Sequence, residues 1–172
     1  MLFVITGNGK GKTTSSLGMV ARAMGQGLKC SVLQFLKANP KALGEYRTFA
    51  KLGLEWESWG QGFLWDQTDL EPTAKLCAKG WESFKAKAES GTYGLIVLDE
   101  FTYVLNYGLL EPEMVISYIS SHIGKEGFPH VVITGRGAPK ELVDIADTVS
   151  EINEIKHHYR KNGGKTVRGI EF

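Results

Sequence analysis

Residues 6–13 restrict the fold of this chain more than any other segment, because they form a glycine-rich loop with the sequence Thr-Gly-Asn-Gly-Lys-Gly-Lys-Thr. The loop fits the phosphate-binding pattern of Gly, four residues and Gly-Lys-Ser/Thr, with Thr6 in the place of the first glycine. A short apolar run precedes it, and a helical stretch at residues 13–24 follows it. A loop between a strand and a helix directs backbone N–H groups and the helix N-terminus at an anion. This placement disfavours the alternative, a glycine-rich turn that contains Gly-Lys-Thr by chance.

Each residue type in the loop has a physical reason. Gly7, Gly9 and Gly11 are expected to let the backbone approach phosphate oxygens without an intervening Cβ atom. Lys12 supplies a positive point charge, and the Thr13 hydroxyl is placed to hold Mg²⁺. The loop therefore predicts a site for a nucleotide with its metal ion.

Strand and helix signals alternate along the chain. Four short apolar, β-branched runs, at residues 2–5, 30–36, 94–98 and 130–134, predict strands that are covered on both faces. Helical stretches lie between them, most clearly at residues 13–24 and 68–89, and weaker strands are expected at residues 53–57 and 149–155. This order predicts an α/β fold in one domain over residues 1–172, with a mainly parallel sheet, helices on both faces and the P-loop NTPase (RecA-like) arrangement.

The pentapeptide Ile-Thr-Gly-x-Gly occurs twice, at residues 5–9 and 133–137, each time where a strand is expected to end. Both glycine turns should open on the carboxyl edge of the sheet, where ligands bind in such folds. Arg136 lies in the second copy, so its guanidinium is expected to reach a triphosphate from the side opposite Lys12. The alternative for Arg136 is a role at the surface.

A second motif matches the phosphate loop. Residues 95–100, Leu-Ile-Val-Leu-Asp-Glu, form an apolar strand that ends in paired carboxylates, as in a Walker B element. A carboxylate there completes the coordination of Mg²⁺, directly or through water. The alternative is that Asp99 merely caps the next helix, and the spacing does not distinguish Asp99 from Glu100 as the metal ligand.

The composition excludes some partners. Twenty basic and nineteen acidic residues give a formal charge of +1, so no global charge attracts nucleic acid or an anionic membrane. No apolar run approaches the roughly 18 residues of a membrane span, and a cytoplasmic protein is expected. Cys30 and Cys77 form no CxxC pair and are predicted to be small core residues.

Residues 56–65 contain three tryptophans and a phenylalanine with glycines between them, which is typical of neither a strand nor a helix. Large aromatic side chains on such a loop suit a flat, partly apolar ligand. The alternative is a flap that packs on the sheet as part of the core.

The chain resembles the ATP:corrinoid adenosyltransferases of the CobA/BtuR type in seven blocks that follow in order. They are Thr-Gly-Asn-Gly-Lys-Gly-Lys-Thr-Thr at 6–14, Ala-Arg-Ala-x-Gly-x-Gly at 21–27, Gln-Phe-Leu-Lys at 34–37, Gly-Phe-x-Trp at 62–65, Leu-Asp-Glu-x-Thr-Tyr at 98–103, Ile-Thr-Gly-Arg-Gly at 133–137 and Ala-Asp-Thr-Val-Ser-Glu at 146–151. The resemblance implies transfer of the 5′-deoxyadenosyl group of ATP to the cobalt of a reduced corrinoid, with release of triphosphate. Because cobalt(I) is then the nucleophile, no Ser-His pair or activated cysteine is needed.

The resemblance also implies roles for individual residues. Lys12, Glu100 and Arg136 are the expected catalytic residues, Thr13, Glu100 and Asp99 are the expected Mg²⁺ partners, and Phe63 and Trp65 are expected to pack beside the corrin. The expected nucleotide-binding residues are Thr6, Gly7, Asn8, Gly9, Lys10, Gly11, Lys12, Thr13 and Thr14. The implied partners are ATP, the reduced corrinoid, an electron donor such as a reduced flavoprotein, and a second copy of the chain in a homodimer.

Two other functions fit part of the pattern. A P-loop ATPase or nucleoside kinase would use Glu100 as a base for attack on the γ-phosphate. Thymidine kinases would be expected to show a cysteine-rich zinc element, and two isolated cysteines argue against it. A nucleotide-regulated corrinoid-binding protein with little turnover is the third alternative.

Overall fold

The computed structural model describes residues 1–62, 69–158 and 165–170. Its strands are β1 (Leu2–Thr6), β2 (Cys30–Phe35), β3 (Glu55–Trp59), β4 (Leu95–Asp99), β5 (His130–Thr134) and β6 (Thr148–Glu151). Its helices are α1 (Lys12–Gly25), α2 (Gly44–Lys51), α3 (Glu71–Glu89), α4 (Phe101–Asn106), α5 (Pro112–His122) and α6 (Lys140–Asp144), with a 3₁₀ turn at Pro40–Ala42. The six strands form one sheet in the order β3-β2-β4-β5-β1-β6. Every strand pair is parallel, so the predicted α/β fold is confirmed.

Helices cover both faces of the sheet. All residues of the central strands β2 and β4 are buried, because alternate side chains enter two separate hydrophobic clusters. One cluster joins the sheet to α1 through residues such as Leu17 and Val97. The other joins it to α3, α4 and α5 through residues such as Trp81, Phe101 and Ile119. Cys30 and Cys77 are both buried, as predicted.

The weaker sequence signals place some boundaries differently. The strand expected at residues 53–57 is β3, Glu55–Trp59, and the one expected at 149–155 is β6, Thr148–Glu151. The helix expected at 68–89 is described from Glu71, with Pro72 in its first turn, where a missing N–H costs nothing. The expectation that residues 56–65 avoid strand structure is wrong for residues 56–59, which belong to β3.

The two Ile-Thr-Gly-x-Gly turns are neighbours at the carboxyl edge of the sheet. β1 pairs with β5 so that Ile5 lies opposite Thr134. The Gly135 N–H donates to the Ile5 carbonyl at 3.3 Å, and the Ala138 N–H donates to Thr6 Oγ1 at 3.0 Å. The edge predicted to bind ligands is therefore formed by turns that hydrogen-bond to one another.

Candidate active site

The phosphate loop passes between β1 and α1 and is covered by the chain that follows β6. The Gly9 N–H donates to the Ile152 carbonyl at 2.7 Å, and the Ile152 N–H donates to the Thr6 carbonyl at 2.8 Å. A Cβ atom on Gly7 would lie 2.4 Å from the Ile152 oxygen, and one on Gly9 would lie 2.8 Å from it. At these two positions glycine is required by the close approach of the Ile152 backbone, a reason beyond the phosphate access expected from the sequence. Gly11 differs from these two. Its φ of 122° lies in the left-handed region that favours glycine, and the nearest atom to an added Cβ would be 3.8 Å away.

Lys12 folds back over its own loop. Its Nζ donates to the Gly9 carbonyl at 2.8 Å, and the side chain is partly buried. Burial lowers the pKa of Lys12, and so does repulsion from the Arg136 guanidinium, whereas Glu100 and Asp99 oppose this. Lys12 and Arg136 repel one another beside a loop of backbone N–H groups. An anion bound between them would therefore stabilise this arrangement.

Asp99 is a buried anchor rather than a helix cap. Its side chain is completely buried and accepts hydrogen bonds from Thr13 Oγ1 at 2.8 Å and Thr134 Oγ1 at 2.7 Å, both on Oδ1. Gln34 Nε2 donates to the second oxygen, Oδ2, at 2.8 Å. The carboxylate thus joins α1, β2 and β5, and the alternative in which Asp99 caps the next helix is not what the structure shows.

Glu100 follows Asp99 in a left-handed conformation, with φ of 60°, and its N–H donates to Thr134 Oγ1 at 3.0 Å. Its side chain is 23% exposed and lines the cleft above the loop. Burial raises the pKa of Glu100, as does the neighbouring Asp99 carboxylate, while Lys37, Lys12 and Arg136 lower it. Glu100 is therefore the carboxylate of the pair that faces the cleft.

Arg136 lies at the same edge, in the turn after β5. Its carbonyl accepts hydrogen bonds from Thr102 Oγ1 at 2.7 Å and Asn106 Nδ2 at 3.2 Å, which fix the turn to α4. Asn106 Nδ2 also donates to the Gly137 carbonyl at 2.9 Å. Arg136 is exposed and lines the cleft, and its contact with a triphosphate stays a prediction.

These residues surround one cleft of about 1160 Å³. Its floor is the phosphate loop, residues 8–14, and one wall combines Glu100, Tyr103 and Arg136. A second wall runs between α1 and α2, where small and apolar residues face the opening, namely Leu17, Gly18, Ala21, Gly44 and Phe49. Thr6 and Gly7 are not among the residues that line the cleft. They support the loop through contacts with Ala138 and Ile152.

The aromatic segment divides into two parts. Phe63 and Trp65, predicted to bind the corrin, lie outside the described residues. Trp59 packs on α3 so closely that a Cβ on Gly80 would lie 2.7 Å from its ring, and its Nε1 donates to Glu57 Oε2 at 3.0 Å. Trp56 contacts the ring of Tyr46 edge to face at 5.7 Å. Trp56 and Trp59 lie on β3 itself, not on a flap, and pack against the two hydrophobic clusters, so both belong to the core as in the alternative interpretation.

Sequence reasoning assigned no role to four residues that shape the site. Gln34 and Lys37 belong to a block that was recognised only as a resemblance, and Thr134 belongs to the repeated pentapeptide. Both motifs were signals that could have led to them. Ile152 contributes only backbone atoms, so no side-chain pattern indicates it.

The chemistry of the donors fits a hard divalent cation. The Thr13 hydroxyl and the Asp99 and Glu100 carboxylates offer oxygen atoms, the ligand type that Mg²⁺ prefers. Mg²⁺ at nucleotide sites takes only one or two carboxylates besides phosphates and water. The part of the chain that the structure describes contains no group of three His, Cys, Asp or Glu side chains arranged to hold a metal alone. None of its helices combines the length and the apolar character that crossing a membrane requires.

The chain is similar to proteins of one known family. The model of the family described as ATP:corrinoid adenosyltransferase BtuR/CobO/CobP matches residues 1–172. The corrinoid adenosyltransferase CobA of Salmonella typhimurium is 37% identical over 100% of this chain and 85% of its own length. The corrinoid adenosyltransferase of Pseudomonas aeruginosa is also 37% identical, over 100% of this chain and 83% of its own length.

Among solved structures, a KaiC-like protein of Pyrococcus horikoshii has a similar fold. Its TM-score is 0.52 at 13% sequence identity, covering 90% of this chain and 73% of that protein. At this identity the likeness concerns the fold alone, which is the P-loop arrangement predicted from the sequence.

Proposed function

The chain belongs to the ATP:corrinoid adenosyltransferase family, and we propose that the cleft above its phosphate loop transfers the 5′-deoxyadenosyl group of ATP to the cobalt(I) of a corrinoid. The observation that carries the proposal is the convergence of Lys12, Arg136 and the Glu100 carboxylate on one cleft. At about 1160 Å³, the cleft exceeds the 300–1,000 Å³ of a typical small-molecule pocket, so it has room for more than the triphosphate.

In the proposed reaction, the cobalt(I) electron pair attacks C5′ of ATP. The C5′–O bond breaks, its electron pair stays on the departing triphosphate, and a cobalt–carbon bond forms. The protein contributes position and charge, because the nucleophile belongs to the corrinoid. Lys12 and Arg136 are the residues that stabilise the negative charge growing on the leaving group.

Thr13, Glu100 and Asp99 are the proposed magnesium residues. The ion supplies positive charge to the phosphates when it is bound. Glu100 is the proposed direct or water-mediated ligand, because its side chain faces the cleft. Asp99 is the proposed positioning residue, because it holds the Thr13 hydroxyl by a 2.8 Å hydrogen bond.

The remaining parts of the proposal rest on the resemblance between this sequence and the family. Phe63 and Trp65 are proposed to pack beside the corrin and to help exclude its lower axial ligand, which makes cobalt(II) easier to reduce. A reduced flavoprotein as electron donor, a homodimer and action in the cytoplasm are further proposals of the same kind.

Product analysis tests the proposed reaction against a P-loop ATPase or kinase, which the family assignment does not favour. A kinase or ATPase breaks the bond at the γ-phosphorus and yields ADP, whereas attack at C5′ releases all three phosphates together. With MgATP and chemically reduced cob(I)alamin under anaerobic conditions, we expect adenosylcobalamin and triphosphate in equal amounts. ADP and phosphate formed without corrinoid would contradict the proposal, and bound corrinoid without product would indicate a binding protein.

A further inference from the structure

We propose that Lys37 is a further cation for the phosphates of the nucleotide, in addition to Lys12 and Arg136, placed in the cleft by a strained turn at the end of β2. The inference deepens the proposed function, on which it rests for the identity of the anion as triphosphate. Lys37 lines the cleft together with Lys12 and Arg136, and the reaction as described above gives it no role.

The backbone before Lys37 is held in an unfavourable conformation. Leu36 has a φ of 67°, and among the residues that the structure describes only Glu100 is another non-glycine residue with a positive φ. A residue with a side chain is disfavoured in the left-handed region, because its Cβ atom crowds the following carbonyl oxygen. Such strain persists only where the surroundings enforce it, and it occurs frequently at functional sites.

Contacts with residues 58–62 enforce this turn. The Leu36 N–H donates to the Trp59 carbonyl at 3.1 Å, and the Leu36 carbonyl accepts the Gly62 N–H at 2.8 Å. The Lys37 carbonyl accepts the Ser58 hydroxyl at 2.5 Å. Gly60 packs on the Leu36 backbone so closely that a Cβ would lie 2.2 Å from its carbonyl carbon. The end of β3 and the residues that follow it therefore hold the backbone of Lys37, which lines the cleft.

The ammonium of Lys37 forms ion pairs with both carboxylates, at distances too long for a hydrogen bond. Its Nζ is 3.8 Å from Asp99 Oδ2 and 3.8 Å from Glu100 Oε1, and both distances exceed the 2.7–3.2 Å of a hydrogen bond. The Lys37 side chain is 31% exposed. A cation at this distance attracts the carboxylates but keeps its three N–H donors for another acceptor.

The sheet order gives Lys37 a distinct position among the cations. β4, which ends in Asp99, lies between β2 and β5. Lys37 follows β2 and Arg136 follows β5, so the two cations approach the cleft from opposite sides of β4, with Lys12 on the phosphate loop. An intact triphosphate leaving group is highly charged along its whole length, and cations on both sides stabilise it better than the loop alone.

A counter-ion role is the competing explanation, in which Lys37 only compensates the charge of Asp99 and Glu100. The two roles differ when Mg²⁺ is saturating, because the metal then neutralises the carboxylates itself. A lysine that is merely a counter-ion becomes dispensable for binding magnesium triphosphate. A lysine that contacts phosphate remains necessary.

The test measures binding of inorganic triphosphate at saturating Mg²⁺ by calorimetry, without corrinoid. We expect Lys37→Met to weaken binding about tenfold or more, because a hydrogen bond to a charged group is lost. Lys37→Arg should recover most of the affinity, and the exposed residue Lys41 offers a matched control in Lys41→Met. Lys37→Gln replaces the methionine variant if the latter melts at a lower temperature than the wild type.

Wild-type affinity in Lys37→Met, or equal losses in Lys37→Met and Lys41→Met, would overturn the proposal. Its failure is separable from failure of the proposed function. If the wild type forms adenosylcobalamin while Lys37→Met binds triphosphate normally, only the role of Lys37 is wrong. If the wild type forms none while Lys37→Met binds triphosphate poorly, Lys37 remains a phosphate ligand and the reaction assignment is wrong.

Discussion

Thr13 Oγ1 donates a 2.8 Å hydrogen bond to Asp99 Oδ1, across 86 residues of sequence. The bond connects the first turn of α1 to the end of β4, so the phosphate loop and the acidic strand end are fixed relative to one another. Thr134 donates to the same oxygen, and Gln34 donates to the other. Asp99 thus holds α1, β2 and β5 together through these hydrogen bonds, while the Glu100 side chain faces the cleft.

The first prediction separates the two carboxylates. Asp99→Ala removes the acceptor of three donors in a fully buried position, and we expect a loss of at least about 2 kcal/mol in the free energy of unfolding. Glu100→Ala should leave stability nearly unchanged but weaken Mg²⁺ binding, since its side chain lines the cleft. Urea unfolding and metal titration measure the two effects.

Asp99→Asn serves as the control for this prediction. Gln34 Oε1 has no hydrogen-bond partner among the described residues, so the Gln34 amide can turn and accept the new Asn N–H. Stability should then be closer to wild type than in Asp99→Ala. Equal destabilisation by both substitutions would show that the negative charge, and not the set of hydrogen bonds, stabilises this position.

The second prediction concerns Lys12. Lys12→Ala should abolish ATP binding while the fold remains, because Lys12 is the principal side-chain cation of the loop and charged hydrogen bonds to phosphate are lost. Calorimetry with MgATP should show a loss of at least about 100-fold. Lys41→Ala is the matched control at an exposed position, and near wild-type affinity in Lys12→Ala would contradict the assignment of the phosphate loop.

Local sequence patterns were sufficient to predict the central strands and the edge of the sheet that carries the cleft. The apolar runs that became β1, β2, β4 and β5 are buried on both faces, so each produces a continuous hydrophobic signal. The phosphate loop and the Asp99-Glu100 pair are likewise defined by neighbours in sequence. Parallel topology then brings these strand ends to one edge without any knowledge of strand order.

The parts that sequence reasoning missed or predicted only weakly depend on contacts between distant segments. β3 lies at the edge of the sheet, and Glu55 and Glu57 on it form ion pairs with lysines, so it lacks the apolar run of a buried strand. Trp59 therefore resembled a loop aromatic. The approach of Ile152 to the phosphate loop is a backbone contact, which leaves no trace in residue type.

The third prediction tests that backbone contact. Gly9→Ala places a Cβ 2.8 Å from the Ile152 oxygen, which neither backbone segment can avoid without moving. We expect a loss of about 1–3 kcal/mol in stability, together with weaker ATP binding. Gly25→Ala in α1 is the control, because no atom lies within 4 Å of the added Cβ, and it should be neutral or stabilising. Similar melting temperatures for the two variants would contradict the close contact.

The fourth prediction concerns stability in acid. Lys29 lies 2.7 Å from Glu55 Oε1, and Lys87 lies 2.8 Å from Oε2, which also accepts the Tyr93 hydroxyl at 2.5 Å. These partners lower the pKa of Glu55 from 4.5 to about 2, with Lys29 as the largest cause. Because the pKa is lower in the folded state, the resulting stability is present above pH 4.5 and is lost as the pH falls towards about 2.

Glu55→Gln should remove this part of the acid dependence. The free energy of unfolding, measured in urea from pH 5 to pH 2, should therefore fall less steeply in Glu55→Gln than in the wild type. Glu71→Gln is a control, because Glu71 forms an exposed ion pair with Lys75 and is 70% exposed. Parallel curves for the wild type and Glu55→Gln would contradict the prediction.

The fifth prediction concerns the aromatic segment, in which Trp59 provides an internal control. Phe63→Ala and Trp65→Ala should impair corrinoid binding or cobalt(II) reduction more than ATP binding, as their place in Gly-Phe-x-Trp indicates. Losing the contact of an aromatic ring with the corrin should weaken corrinoid binding by roughly tenfold.

Trp59→Ala should instead lower the melting temperature, because the Trp59 ring packs against Gly80, which also contacts the ring of Phe35. Absorbance titration with corrinoid, calorimetry with MgATP and thermal melting separate these effects. If Phe63→Ala and Trp65→Ala lower only the melting temperature, the whole segment is part of the core, and the corrin must be bound elsewhere in the cleft.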